Sequence, residues 1–168
     1  QVELVLFPHF IELDKLNKKH GARQFGHICQ IFLALTLIQI GFRIPVYNTI
    51  GRPDMEAITE NERYSIEVKT GDKEIRLMDK DVDSIRKPNY EPVLAVFTFP
   101  DLECSWIMAN AKSLSSGSFH KSELKELSIK HLEKRINKTF ENIVEKNFEV
   151  AYYSMNKLRK TLEESRKS

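Results

Sequence analysis

Only two cysteines stand in the 168 residues, Cys29 and Cys104, each inside an apolar run. With no Cys-x-x-Cys or Cys/His spacing, a zinc site and a disulfide-stapled secreted scaffold are both excluded. Two lone thiols read as core residues in a reducing, cytoplasmic setting. Glycine and proline are also scarce, six of each, which excludes collagen-like and low-complexity chains, and no repeat of a length suited to a solenoid is present. A long hydrophobic run is missing too. The most apolar stretch, Ile28 to Phe42, contains Gln30, Thr36 and Gln39 and falls short of the roughly 20 residues a bilayer span needs, so it reads as a buried helix and no membrane partner is expected. Nor is there an excess of one charge. Lys plus Arg is 26 against 24 Asp plus Glu, a net +2, so bulk charge does not argue for nucleic acid. The chain opens on Gln1 rather than Met, as a fragment or trimmed chain would, and lacks the basic start and apolar run of a secretory signal.

What is present is a globular composition. Hydrophobic residues make up 41% and charged residues 30%, enough at this length to bury about 70% of the unfolded surface in one domain. Disorder is excluded. Charge is unevenly spread: from Lys121 onward there are 12 basic and 8 acidic residues, against 14 and 16 before it.

Residues 1 to 10 suggest a short strand or an extended arm closed by Pro8. From about Gly21 to Ile40, Phe25, Ile28, Phe32 and Leu35 recur at helical spacing and the pattern stops at Gly41. Strands are expected at Phe42 to Thr49, from near Pro53, and at Arg63 to Thr70. In the last of these Tyr64, Ile66 and Val68 alternate with Ser65, Glu67 and Lys69. A polar helix over Asp79 to Lys87 ends at Pro88. Pro92 to Phe99 is almost wholly apolar, as a central strand buried on both faces must be, and Ser105 to Ala109 closes the sheet. Leu114 to His120 is rich in Ser and Gly and reads as a linker. Beyond it only helices are expected, with Ile129, Leu132, Ile136, Phe140, Ile143 and Phe148 on one stripe and Met155, Leu158 and Leu162 on its continuation.

The chemistry concentrates on the second and third strands. Asp54 and Glu56 share a face of one, Glu67 and Lys69 a face of the next, so pairing them gathers two or three carboxylates and an ammonium near one strand end. Carboxylates forced together repel by about 4 kcal/mol at 4 Å and an effective dielectric of 20. Such a cluster invites a divalent cation, and oxygen ligands without Cys or His favour Mg²⁺ or Mn²⁺. A phosphodiester fits this assembly, because a cation offsets the charge that develops when water attacks. Lys69 is placed to orient that water.

Gly51-Arg52-Pro53-Asp54 followed by Tyr64-Ser65-Ile66-Glu67-Val68-Lys69-Thr70, in this strand order after an apolar helix, resembles the PD-(D/E)XK nuclease superfamily. From about Gly21 to Leu114, somewhat over half of the chain, the likeness is to archaeal Holliday-junction resolvases and Mrr-type restriction endonucleases. The resemblance implies an α/β fold with a restriction-endonuclease-like core, a mixed central sheet flanked by helices, here assigned to residues 1–114; the helices beyond it form an extension over 115–168 that packs on the core or makes a dimer interface. It implies a metal-dependent DNA endonuclease in which Asp54, Glu67 and the Val68 carbonyl hold Mg²⁺ or Mn²⁺ and Lys69 is the catalytic lysine. It departs from the superfamily in one respect: many members carry a helix Glu, whereas here no acid lies between Asp14 and Asp54. Gln24 and His27, three apart on one helix face with His20 beside them, stand where some branches use Gln or His. Arg52, Lys73 and Arg76 are candidates for phosphate contacts. The alternative is a catalytically silent nucleic-acid-binding or interaction module of the same fold, or a subunit of a larger nuclease assembly. The C-terminal apolar stripe needs cover worth about 1.5–3 kcal/mol per side chain, either on the sheet or on a second copy, and because cutting two strands calls for two sites a homodimer held partly by these helices is expected.

Overall fold

Helical spacing near the N-terminus builds one long helix with a single break. In the computed structural model, which describes residues 6–168, α1 runs Phe10–Gln39 and is interrupted at Gly21, whose φ of 83° and ψ of 163° lie outside the helical region. The start expected at Gly21 is therefore a kink. The helix begins before it because Leu13 and Leu16 are also fully buried. Of the arm or strand expected at residues 1–10, residues 1–5 lie outside the described residues; residues 6–9 form no strand, Phe10 already belongs to α1, and Phe7 donates its N–H to the Leu102 carbonyl at 2.8 Å. The Gly21 conformation is open essentially to glycine alone. Gly21→Ala will lower stability by about 1–3 kcal/mol even though its Cβ would meet no atom within 4 Å. Urea unfolding monitored at Trp106 measures this, and an unchanged midpoint would show that the break is not held rigidly.

The remaining elements are β1 (Arg43–Tyr47), β2 (Met55–Ile58), β3 (Arg63–Thr70), β4 (Glu74–Leu77), α2 (Asp79–Ile85), β5 (Glu91–Phe97), β6 (Trp106–Asn110), β7 (Gly117–His120), α3 (Lys121–Lys125), α4 (Lys130–Tyr153) and α5 (Met155–Lys167). A five-stranded mixed sheet has the order β1-β2-β3-β5-β6. Its β3/β5 pair is parallel, with Glu67 opposite Leu94 and Lys69 opposite Val96, and the other pairs are antiparallel. β5 is buried on both faces as its apolar run requires, but β3 holds the centre. Helices cover both faces, and the chain is a mixed α/β protein.

One face of the sheet packs on α1, α4 and α5 through Phe32, Ile66, Phe97, Trp106 and Phe140; the other packs on α2 and α3 through Leu94, Val96, Ile75, Val82 and Leu124. The alternation read on β3 holds: Tyr64 and Ile66 enter the first core, while Ser65, Glu67 and Lys69 turn to the α2 side. Two expectations are corrected here. The Ser/Gly-rich stretch Leu114 to His120 is not a linker, because Leu114 is buried and β7 pairs with β4, Phe119 opposite Ile75. The C-terminal stripe needs no second chain for cover, since Leu132, Ile136, Phe140, Ile143, Leu158 and Leu162 are all buried within this one. α4 also closes an exposed sheet edge: Asn137 accepts from the Trp106 N–H at 2.8 Å and donates to its carbonyl at 3.0 Å, and Glu133 accepts from the Met108 N–H at 2.9 Å. Side chains satisfy the backbone groups that would otherwise offer β6 to another strand.

Both cysteines are free and buried, and burial pushes their thiols up, Cys104 to about 12. Among the described residues no helix is long and apolar enough to cross a membrane.

Candidate active site

The β2/β3 ladder ends at Met55 opposite Ile66, so the next positions, Asp54 and Glu67, face each other where the strands part. Residues directly opposed across a pair share a face, which brings both carboxylates to the α2 side at the C-terminal end of β3. Asp54 Oδ2 accepts the Val68 N–H at 2.8 Å. N–H and C=O of one strand residue point the same way, so the Val68 carbonyl is directed toward the same opening past the end of β2. Lys69 Nζ lies 3.6 Å from Glu67 Oε2 and 3.2 Å from Asp81 Oδ2. These groups line a cleft of about 760 Å³ together with Arg52, Lys80, Asp83 and Ser84.

Three acids thus share one ammonium. Glu67 is 8% exposed, and burial together with the charges of Asp54 and Asp81 pushes its carboxyl up to about 8 despite Lys69. Burial also raises Asp54, against the Val68 N–H and Lys69. For Asp81 burial is outweighed by the Met78 N–H and Lys69, which leave it below the usual carboxylate range. Asp81 is the site residue the sequence reading missed: it was one acid among five interleaved with basic residues, and nothing in its spacing from Glu67 says that α2 folds back over β3.

The expected residues divide sharply. Asp54, Glu67, Val68 and Lys69 come together. Glu56, on the same face, is only 2% exposed and bound by Lys87 at 2.8 Å and Arg52 at 3.1 Å. Those bonds outweigh its burial and hold it below the ordinary range, so Glu56 is a neutralised structural anion. Arg52 lines the cleft but is committed to Glu56. Lys73 and Arg76 lie elsewhere: both are exposed, and Arg76 borders a separate hollow with Asp79, Ser116 and Gly117, because pairing with β7 carries β4 away. Lys80 is the basic residue that borders the acids in their place. Gln24 and His27 do not line the acidic cleft either. His27 borders a neighbouring cavity with Gln30 and Tyr47, and burial and the charge of Asp54 push the Tyr47 phenol up. His20 is bonded to the Ala151 carbonyl at 2.9 Å, a link between α1 and α4.

Among the described residues no three His, Cys, Asp or Glu side chains are gathered tightly enough to enclose a metal; Lys69 stands between Glu67 and Asp81. The donor set nevertheless suits a hard cation, being all oxygen and short of positive charge. No family model matches this chain, and no curated protein matches it.

Proposed function

We propose that the chain is a metal-dependent nuclease of the PD-(D/E)XK type, with a restriction-endonuclease-like core and DNA as substrate. One observation carries the reading: Asp54 and Glu67 face each other where β2 and β3 part, with Val68 hydrogen-bonded to the first and Lys69 beside the second. Asp54, Glu67 and the Val68 carbonyl would hold Mg²⁺ or Mn²⁺, which when bound polarises a phosphoryl oxygen and lowers the pKa of a bound water. The chain's own groups do the rest. The Val68 N–H fixes the Asp54 carboxylate, so one of its oxygens stays directed into the cleft. Glu67, pushed up by burial and its neighbouring acids, would hold the cation in its ionised form, its proton passing to solvent. Lys69, drawn toward Asp81, is held within reach of Glu67, where its ammonium orients the attacking water and offsets charge on the phosphate. Lys80 at the cleft rim adds an electrostatic contact to the backbone.

Asp54→Ala and Lys69→Ala will each lower cleavage by about 10²–10⁴-fold, measured on duplex, branched and single-stranded DNA with Mg²⁺ or Mn²⁺. Asp54→Ala will also abolish Mn²⁺ binding seen by titration. Unchanged cleavage in both variants would sink the assignment. A second reading, a silent nucleic-acid-binding module, is favoured by Lys69 standing between Glu67 and Asp81. It predicts DNA binding that ignores Mn²⁺ and no cleavage in the unaltered chain.

A further inference from the structure

The end of the sheet that carries the acids has a second opening on its other face. There, between α1, the end of β1 and α5, a cavity of about 280 Å³ is lined by His27, Gln30, Tyr47, Asn48, Arg159 and Leu162, with Ile31 and Glu163 also on its wall. Residues of the loop from Asn48 to Pro53 border both openings, Asn48 the cavity and Gly51 and Arg52 the cleft. Asn48 lines the cavity and donates its N–H to the carbonyl of Asp54, which lines the cleft, at 2.8 Å. Tyr47 sits opposite Met55, the residue after Asp54, and residues so paired are about 5 Å apart.

The cavity and the cleft have opposite electrostatic character. Glu163 is engaged by Arg166 through both carboxylate oxygens, at 2.8 and 2.9 Å, which offsets its charge. The Arg159 guanidinium donates to the neutral Asn156 amide at 3.3 Å, so its charge is free to meet an anion. An apolar floor (Leu162, Ile31) beside a tyrosine, two amide side chains on the wall and an arginine at the mouth match the parts of one nucleotide. A flat base packs on the floor and Tyr47, its edge meets Gln30 and Asn48, and its phosphate meets Arg159. The volume, about 280 Å³, is room for a single base.

We propose that this cavity is a subsite for one unpaired nucleotide next to the phosphodiester held at the acids, so that the strand passes over the Asn48–Pro53 loop from one opening to the other. Ile50, fully exposed at that loop, then lies against the strand between the two, where an apolar side chain favours unstacking. The inference rests on the nuclease reading for the identity of the neighbouring site, but its test is a binding measurement.

The full chain is titrated with single-stranded DNA carrying one 2-aminopurine, in Ca²⁺ or Mn²⁺, alongside two exposed-residue variants, Arg159→Ala and His27→Trp, the second filling the cavity. Circular dichroism and Mn²⁺ titration establish that each variant is folded and retains the acidic cleft. The expected result is about tenfold weaker binding for Arg159→Ala with a salt slope smaller by about one, and loss of the 2-aminopurine fluorescence change for His27→Trp. Binding and fluorescence equal to the unaltered chain in both variants, with cleavage still abolished by Asp54→Ala, would overturn the subsite and leave the nuclease standing. Arg159-dependent binding in a chain that cleaves nothing would support the subsite while the nuclease reading fails. Absence of any DNA binding would overturn the subsite outright.

Discussion

Phe140→Ala will lower the free energy of unfolding by about 3–5 kcal/mol, and a chain ending at Gly117 will not fold cooperatively. Phe140 is 1% exposed. Its ring lies 5.1 Å from Phe97, 5.7 Å from Trp106 and 6.4 Å from Phe32, centroid to centroid, so one α4 side chain joins two strands and α1. Deleting it removes apolar burial and leaves a hole that these large rings cannot collapse to fill. Cutting at Gly117 does more: it strips the cover from Trp106 and Phe97, ends β7 and frees the β6 edge that Asn137 and Glu133 satisfy. Residues 1–114 and 115–168 are therefore expected to unfold together. Guanidinium unfolding of Phe140→Ala and the near-ultraviolet circular dichroism of the shortened chain measure the two effects. A shortened chain with intact tertiary signal would show that α4 and α5 are an accessory. A homodimer, if one forms, will use a surface other than the buried stripe.

Glu67→Gln will stabilise the metal-free protein at pH 8, on the order of 2–4 kcal/mol, and on the proposed nuclease reading will eliminate cleavage. The sign follows from proton binding. Glu67 has a folded-state pKa of about 8 against an ordinary 4.5, so between those values the folded state holds a proton that the unfolded state has released. Its contribution is fully present below about 4.5 and is lost as pH rises through about 8. Stability of the unaltered chain will fall across this window, and in Glu67→Gln the slope will flatten. Asp81, shifted downward, acts in the opposite sense and in a separate range, with stability lost as pH falls below the ordinary carboxylate value. Thermal unfolding in chelator at pH 5, 6.5 and 8 for both chains provides the comparison, and parallel curves would refute a destabilised Glu67. Mn²⁺ will restore stability mostly at pH 8, where it replaces the missing proton, and only in the chain that keeps Glu67.

Periodicity alone determined much of this protein. Alternation in Arg63 to Thr70 placed Glu67 and Lys69 on one face, the apolar run after Pro92 required a strand covered on both sides, and the spacing of Ile129 to Ile143 required a buried helix face. Each follows from which side of a single element must leave water, information that local sequence holds in full. The convergence of Asp54 and Glu67 near one strand end was legible on the condition that β2 and β3 pair; their register was not.

Tertiary structure decided what each charge does. Glu56 and Asp54 lie two residues apart on one face, yet Lys87 and Arg52 neutralise the first while the second has the Val68 N–H and a share of Lys69. Asp81 joins the acids, Lys73 and Arg76 leave them and Gln24 and His27 stay off the cleft, because α2 folds over β3, β4 pairs with β7 and α1 is rotated to bury Phe25, Ile28 and Phe32. A side chain's charge state depends on groups brought close from distant parts of the chain, and no local period records their distance.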